Sequence, residues 1–244
     1  MRALKHRLPA DGNCGQNTTT RGMRKGMVAV HEAGGPARRA VTRDPERTRG
    51  AILAAATQEF TAKGLTGARV DAIAKRARVN KRMIYHYFGG KDGLYLAVLE
   101  ATYEAIRAAE LALHLTDRDP VDGMHELVRF TWRYSLAHPE FLSLLGTENL
   151  HKAAYLKRSK RIRELHSPLV GMISSVLEHG VKARVFRAGV DPVELYVTIA
   201  ALGFFYLSNR HTLSTIFGRD LSAPKSLAAR EAHIVDVVLN YLQR

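Results

Sequence analysis

The chain has 244 residues, of which 46% are apolar and 25% charged, so it is long enough for one large globular domain or two small ones. A single cysteine, Cys14, excludes an intrachain disulfide scaffold and a cysteine-only metal cage. The formal net charge is +14, no apolar run is long enough to span a membrane, and the first residues contain no apolar signal segment, so we expect a cytoplasmic protein.

Residues 1–43 hold nine Lys/Arg against two Asp/Glu and show no helical or strand periodicity. We predict that this segment is a disordered basic tail. Two interpretations stay open. The tail is either an arm that attracts phosphates without sequence preference, or an extension upstream of a true start at Met23 or Met27.

The positive charge is concentrated in the first part of the chain. Residues 44–95 hold ten Lys/Arg against five Asp/Glu, whereas residues 96–244 are nearly balanced at 18 against 16. This asymmetry predicts a polyanionic partner such as nucleic acid for the amino-terminal part. A basic face that is merely solvated is the alternative at this point.

Apolar residues at helical spacing predict three helices, over 46–63, 70–78 and 81–88. Gly64 is expected to end the first helix, as a carboxyl-terminal cap would. Asn80 is a good cap for the third, because its side-chain oxygen can accept a hydrogen bond from an otherwise unpaired backbone N–H. Gly89 and Gly90 are expected to end that third helix.

Apolar periodicity continues to the carboxyl terminus. It predicts helices over 91–115, 120–138, 140–149 and 153–182, a helix that begins at Asp191-Pro192, a loop at 212–222 and a last helix over 224–243. The sequence shows no sustained β alternation. The predicted fold is therefore all-α, with about nine helices.

The helices over 70–78 and 81–88 follow the logic of a helix-turn-helix, in which the first helix braces the second in the major groove. Basic and aromatic residues cluster on and after the second helix: Lys81, Arg82, Met83, Tyr85, Tyr87 and Lys91. Basic residues can bind guanine edges or phosphate, a methionine can contact a thymine methyl, and tyrosine hydroxyls can bond phosphate. Core tyrosines beside a solvated basic face are the alternative, but the brace, cap, turn and basic residues occur together.

The stretch over 52–100 resembles the TetR family of bacterial transcriptional regulators. The resemblance is carried by Phe60 and Gly64, by Val70, Ile73 and Ala74, by Val79-Asn80, and by the run from Ile84 to Phe88 followed by Lys91 and Leu94. It implies a DNA-binding domain over 44–95 and a helical effector-binding and dimerisation domain over 96–244, after the tail of residues 1–43.

The family resemblance implies a homodimer that places two recognition helices in successive major grooves of a pseudo-palindromic operator. It also implies a repressor that a small-molecule effector releases. The DNA contacts carried over from the family are Lys81, Arg82, Met83, Tyr85, His86, Tyr87 and Lys91. One position departs from the family pattern, since Arg69 stands where a serine or threonine usually caps the brace helix. We expect Arg69 to lack that cap while still reaching phosphate; an effector-independent regulator and an activator remain alternatives.

The resemblance further implies that the carboxyl-terminal helices form a ligand pocket and a dimer interface. The segment 195–207 is apolar nearly all round, which predicts a helix buried on every side. The family resemblance implies that its own domain covers one side and a partner subunit the other; the core of a monomer is the alternative. The face of Ile234, Val237, Val238 and Tyr241 is expected to complete that interface. Candidates for the pocket are Tyr103, His125, Arg129, Trp132, Phe141, Glu148, Phe204 and Phe205.

No GxGxxG, GxxxxGK[ST], HExxH or GxSxG motif is present, and the histidines after residue 100 lie on separate segments without a short ligand pair. We therefore expect no enzyme activity, no metal site and no cofactor. A helical enzyme or lipid carrier with an incidental basic face is the remaining alternative from a different class of protein.

Overall fold

The computed structural model describes residues 44–243, except for the side chains of His166 and Ser167. The tail predicted over 1–43 lies outside the described residues. Within them the chain forms nine α-helices and no strand: α1 Pro45–Gly67, α2 Val70–Ala77, α3 Lys81–Phe88, α4 Lys91–Leu111, α5 Pro120–Ala137, α6 Pro139–Leu150, α7 Lys160–Lys182, α8 Pro192–Phe217 and α9 Pro224–Leu242. Single 3-10 turns at Leu115–Asp117 and Leu156–Arg158 precede α5 and α7. The all-α prediction is confirmed.

Aspartate followed by proline begins three of the helices. The side chains of Asp44, Asp119 and Asp191 accept hydrogen bonds from backbone N–H groups in the first turns of α1, α5 and α8, at 2.8–3.4 Å. The proline that follows has a φ suited to the first helical position and has no N–H that would need an acceptor there. The starts predicted at Asp119 and Asp191 are confirmed.

Two predicted helix boundaries are wrong because the backbone becomes left-handed nearby. α4 ends at Leu111, short of residue 115, and His114 follows with a φ of 49°. α7 begins at Lys160 and not at residue 153, because Lys152 and Ala153 have φ values of 55° and 57°. Residues with a Cβ atom do not continue a right-handed helix in this conformation.

The loop predicted at 212–222 is wrong over its first half. α8 continues to Phe217, and the hydroxyls of Ser214 and Thr215 are accommodated inside it, where they donate hydrogen bonds to carbonyl oxygens one turn back. The chain leaves the helix at Gly218, whose φ of 58° is the left-handed conformation that glycine adopts without strain.

Two apolar cores hold the helices together. The amino-terminal core is formed by Ile52, Phe60, Ile73, Ile84, Leu94, Tyr95, Val98 and Leu99 of α1–α4, with Leu144 of α6 and Ile162 of α7. The carboxyl-terminal core is formed by Met124, Leu127, Val128, Trp132, Ile173, Val176, Leu195, Ile199, Leu207, Ile234 and Val238 of α5, α7, α8 and α9. α6 and α7 therefore connect the carboxyl-terminal half directly to the helices that carry the helix-turn-helix.

Helices α8 and α9 also turn apolar residues away from the carboxyl-terminal core. Phe205 on α8 is 60% exposed, and Val237 and Tyr241 on α9 are exposed as well. The face expected from Ile234 to Tyr241 is corrected in part. Ile234 and Val238, one turn apart, are buried in the chain's own core, whereas Val237 and Tyr241, also one turn apart, lie at the edge of that apolar stripe and are exposed.

Residues 44–243 contain neither a membrane-spanning helix nor a metal-binding cluster. None of the described helices combines the length and apolar character that a membrane span requires. In the same part of the chain, no group of three or more His, Cys, Asp or Glu residues is arranged to hold a metal ion.

Candidate nucleic-acid interface

The helix-turn-helix expected from the sequence is formed by α2 and α3. Ile73 and Ala74 of α2 and Ile84 of α3 are buried in the amino-terminal core, so each short helix is held by one apolar face. Asn80 caps α3 as predicted, since its Oδ1 accepts a hydrogen bond from the N–H of Arg82 at 2.8 Å. The opposite face of α3 is left open to a partner.

The outer face of α3 carries Lys81, Arg82, Tyr85 and His86, all of them exposed. Their spacing places these four candidate side chains together on one side of the helix. Met83 and Tyr87 are half-buried and pack against the amino-terminal core, so only part of each side chain is available to DNA.

Lys81 is paired with a carboxylate and is not the free cation expected from the sequence. Its Nζ lies 2.7 Å from Oδ1 of Asp71 on the brace helix. The hydrogen bond and the attraction between the two charges lower the pKa of Asp71 and raise the pKa of Lys81. Arg82 has no ion-pair partner among the described residues. The two neighbouring cations therefore differ, since Lys81 is paired with a carboxylate and Arg82 is not.

The junction of α3 and α4 is tight. Gly93 in the first turn of α4 lies against the carbonyl group of Phe88, and a Cβ atom there would collide with that carbonyl oxygen. Lys91 at the start of α4 donates a hydrogen bond from Nζ to the carbonyl oxygen of Thr66 at 3.1 Å. The close contact at Gly93 holds α3 against the start of α4. The Lys91 hydrogen bond connects the start of α4 to the end of α1.

Arg69 begins α2 without a side-chain cap, as predicted. The buried carboxylate of Glu59 compensates in part, since its Oε1 accepts a hydrogen bond from the Arg69 N–H at 3.4 Å. Glu59 also binds Lys63 at 2.8 Å and Arg76 at 3.2 Å. The bond from Lys63 is the main reason that the pKa of Glu59 stays low despite burial. Glu59 is not among the residues predicted from the sequence; the signal for it is an acidic residue on the apolar face of α1, next to Phe60.

Two further arginines near α3 were missed. Arg47 of α1 and Arg78 of the turn line a groove of about 530 Å³ together with Asn80 and Met83. Arg78 ends α2 with a left-handed φ of 55°. Neither arginine lies on the predicted recognition helix, so only their position beside it in the fold makes them candidates for phosphate contact.

A polar cluster joins α4 to α8, in which Arg107 and Glu110 of α4 are buried and Tyr196 of α8 is half-buried. Nη2 of Arg107 donates a hydrogen bond to the hydroxyl of Tyr196 at 2.9 Å, and Nη1 lies 2.8 Å from Oε2 of Glu110. Burial raises the pKa of Glu110 to about 7, against the opposing attraction of Arg107. This cluster is not among the sites predicted from the sequence. Its signal is a charged pair at 107 and 110, on the same helical face as Tyr103, where apolar residues are expected.

Four of the predicted effector residues lie inside the molecule. Tyr103 packs edge to face on Phe141, with ring centroids 5.5 Å apart, one turn along α4 from Arg107. Trp132 belongs to the carboxyl-terminal core. Glu148 is buried, and its Oε2 accepts hydrogen bonds from two backbone N–H groups of the turn before α7. Tyr103 and Phe141 thus come together one turn along α4 from Arg107, and Glu148 lies close enough for its charge to act on the Tyr103 hydroxyl.

The other four effector candidates do not line the interior with them. His125 and Arg129 lie in a surface groove between α5 and α9, where Nε of Arg129 donates a hydrogen bond to Glu231 at 3.0 Å. Phe205 is exposed on the outer face of α8, and Phe204 beside it is half-buried. The expectation that these four residues line an internal pocket is corrected. A helix that packs on one side directs only some of its side chains inwards.

Two family models match the chain in the order in which the fold presents its halves. Bacterial regulatory proteins, tetR family, matches residues 52–98, which run from α1 into α4. Tetracyclin repressor-like, C-terminal domain, matches residues 120–238, which run from α5 into α9.

Individual proteins give the same result. The HTH-type transcriptional repressor NicS of Pseudomonas putida is 40% identical over 199 residues, 82% of this chain and 94% of NicS. The HTH-type transcriptional regulator RutR of Escherichia coli K12 is 30% identical over 174 residues, 70% of this chain and 79% of RutR. The solved structure of SCO4942 from Streptomyces coelicolor has a TM-score of 0.61 at 26% identity and covers 80% of this chain and 98% of its own. With its helix-turn-helix, its helical carboxyl-terminal half and these relatives, the chain belongs to the TetR family of bacterial transcriptional regulators.

Proposed function

We propose that this chain is a cytoplasmic, homodimeric repressor that binds a pseudo-palindromic operator near its own gene and leaves it when a small molecule binds in the carboxyl-terminal half. The observation that carries the proposal is the exposed basic face of α3, held on a buried brace and joined rigidly to α4. The sign of regulation is supported by the names of two relatives. NicS and SCO4008 of Streptomyces coelicolor, the latter 36% identical over 141 residues, are both named repressors.

The proposed DNA contacts are the residues expected from the sequence: Lys81, Arg82, Met83, Tyr85, His86, Tyr87 and Lys91, with Arg69 at the start of the brace. Arg82 is the candidate for reading a base, because it is exposed near the start of the recognition helix. Lys91 and Tyr85 are proposed as phosphate contacts, since the start of α4 also offers free backbone N–H groups to an anion.

We propose that residues 44–95 bind DNA and that residues 96–244 bind the effector and dimerise. α4 crosses this boundary. Its first turns lie in the amino-terminal core with Tyr95, and its last turns carry Arg107 and Glu110. A ligand that shifts the end of α4 therefore shifts the support of α3, which changes the spacing of the two recognition helices in a dimer.

The proposed dimer surface is the outer face of α8 and α9. Its exposed apolar residues are Val193, Val197, Phe205, Val237 and Tyr241. Apolar patches of this kind mark interfaces, and a second copy related by a two-fold axis would cover the face as a four-helix bundle.

A footprint on the DNA that flanks the gene, with excess random competitor at about 150 mM salt, tests the regulator. We expect protection of an inverted repeat, in two half-sites one helical turn apart or a multiple of it. Salt-sensitive coating of the DNA without a protected repeat, there and in a genome-wide binding map, would refute the proposed function.

Phe205→Asp tests the dimer surface. The matched control is Leu150→Asp, because Leu150 is 81% exposed on α6, away from α8 and α9. We expect sedimentation equilibrium to show a monomer for Phe205→Asp, with loss of the footprint, and an unchanged dimer for the control. A dimer that survives Phe205→Asp would exclude this face.

A further inference from the structure

Arg107 and Glu110 form a buried ion pair that uses little of its hydrogen-bonding capacity. Their side chains are 3% and 1% exposed, and Nη1 lies 2.8 Å from Oε2 without the geometry of a hydrogen bond. Among the described residues, Nε and Nη1 of Arg107 and both carboxyl oxygens of Glu110 have no hydrogen-bond partner. Buried charged groups are normally hydrogen-bonded because an unbonded one is costly. These atoms are therefore available to another molecule.

Aromatic side chains surround the pair. The Arg107 guanidinium lies over the ring of Tyr196, 5.5 Å from its centroid. Tyr103 lies one turn away along α4, with its edge-to-face partner Phe141 on α6. On α5, Tyr134 lies close enough for the charges of the pair to act on its hydroxyl. A few convergent polar groups among aromatic rings suit a small planar organic ligand.

The chemistry of the pair indicates which ligand group it would bind. A guanidinium is a planar fork that binds a carboxylate through two parallel N–H···O bonds, and Arg107 gives only one described hydrogen bond, to Tyr196. Glu110 is the competing carboxylate. Because burial raises the pKa of Glu110 to about 7, this group can take up a proton near neutral pH and leave the charge of Arg107 to an incoming anion.

We propose that Arg107 anchors the effector and that the effector is a small aromatic acid, whose carboxylate binds the Arg107 guanidinium while a hydrogen-bond donor on the ring faces Glu110. The inference rests on the proposed function in calling the ligand an effector. The binding chemistry stands without it.

Thermal unfolding of the full chain tests the ligand class. The probes are a panel of monocyclic aromatic carboxylic acids with ring N–H or hydroxyl donors, each paired with its primary amide. A ligand that binds only the folded state raises Tm, so we expect acids to raise it and their amides to leave it unchanged. A panel in which no acid raises Tm, or in which the amides act equally, overturns the proposal.

Calorimetric dissociation constants for the strongest acid then test the anchor. Arg107→Gln should weaken binding by about 10- to 100-fold, as expected for a lost charge-assisted hydrogen bond. Glu110→Gln should bind the acid at least as tightly as the native chain, because the competing carboxylate is gone. Equal losses in both variants would mean that the pair is only structural and would overturn the proposal.

Arg230→Gln is the matched control. Arg230 also lies over a tyrosine ring, 5.3 Å from the centroid of Tyr206, and donates a hydrogen bond to a carbonyl oxygen, but it belongs to α9. We expect native affinity from this variant. Arg107→Lys keeps the charge and loses the fork, so it should fall between Arg107→Gln and the native chain, and it replaces Arg107→Gln if that variant does not fold.

Footprinting with the same acid and amide separates this inference from the proposed function. Release of a protected operator by the acid alone supports both. Acid binding without any protected operator refutes the regulator and leaves the site. A protected operator without acid binding refutes the site and leaves the regulator, and an acid that binds at Arg107 without releasing the operator overturns the effector role.

Discussion

Arginine occupies two opposite environments in this chain. On α3, Arg82 is exposed beside Lys81, and water solvates its charge. A cation in this position can neutralise a DNA phosphate and release the counterion that the phosphate held. On α4, Arg107 is buried, paired with Glu110 and bonded to Tyr196. The exposed charge costs little to maintain and suits a large charged surface. The buried charge is costly to maintain and suits a molecule small enough to enter and complete its hydrogen bonds. The same side chain thus indicates different partners according to its burial.

Helix α4 joins the two environments. Its 21 residues span about 30 Å at the rise of an α-helix. Tyr95 in its first turns contacts Phe60 and Tyr155 edge to face, at 5.0 Å in each case, and fixes α4 to α1 and to the turn before α7. Arg107 lies near the other end. One continuous helix therefore carries both the buried charge and the junction that holds α3.

The largest effect on stability is expected from Glu110, the carboxylate that is paired with the buried arginine. Burial raises its pKa from 4.5 to about 7, so above pH 4.5 the folded chain keeps a proton that the unfolded chain releases. The free energy of unfolding should therefore fall as pH rises from 4.5 to 7, by about 3 kcal/mol at most, and then stay level. Urea titrations at pH 5 and pH 8, at one protein concentration, should show native stability falling relative to that of Glu110→Gln.

The charged and titratable side chains that face Glu110 do not interfere with this measurement. They are Arg107 on α4, Tyr134 on α5 and Tyr196 on α8, and burial raises the pKa of both tyrosines further above neutrality. Glu231 is the control of opposite sign. Burial would raise its pKa, but hydrogen bonds from two arginines outweigh that and hold it low, so its contribution is lost only on acidification. Equal slopes for the native chain and Glu110→Gln between pH 5 and pH 8 would contradict the prediction.

Substitutions at the exposed cations should separate base reading from phosphate binding. Arg82→Ala should weaken operator binding by about 1–3 kcal/mol and relax sequence preference, whereas Lys91→Ala should weaken all sequences about equally and lower the salt slope by about one. Titrations of operator and random DNA at several salt concentrations measure both effects. Matched losses on the two DNAs for Arg82→Ala would remove its proposed role in reading bases.

The exposed region follows from local sequence signals, and the buried region does not. The cap at Asn80 acts within one turn, so the sequence predicts the position of α3 and of its outer residues. Arg107 and Tyr196 are 89 residues apart, and only the packing of α4 against α8 brings them together. Phe205 was misplaced for a related reason: α8 is apolar nearly all round, so its periodicity does not tell which side faces the core.

A third arginine, Arg78, tests the backbone between the brace and the recognition helix. Its φ of 55° is left-handed, which costs a residue with a Cβ atom about 1 kcal/mol or more. Arg78→Gly should therefore raise the free energy of unfolding by about 0.5–1 kcal/mol, measured by urea titration. Lys75→Gly, inside α2, is the control and should lower it by about 1 kcal/mol. A loss of stability in both variants would show that the Arg78 side chain contributes more than its strained backbone costs.

The smallest effect is expected at Asp71, whose ion pair with Lys81 keeps one cation of α3 partly neutralised. Asp71→Asn should barely change stability, because water screens the attraction between two exposed charged side chains. It should strengthen binding to random DNA and steepen the salt slope by up to about one, since Lys81 then meets phosphate without a competing carboxylate. Operator binding should gain less, so the ratio of operator to random affinity should fall.

Asp117→Asn, the same charge change on an exposed turn before α5, is the control and should leave the slope unchanged. If both variants change the slope equally, net charge alone explains the effect and the Asp71–Lys81 pair has no specific role in discrimination.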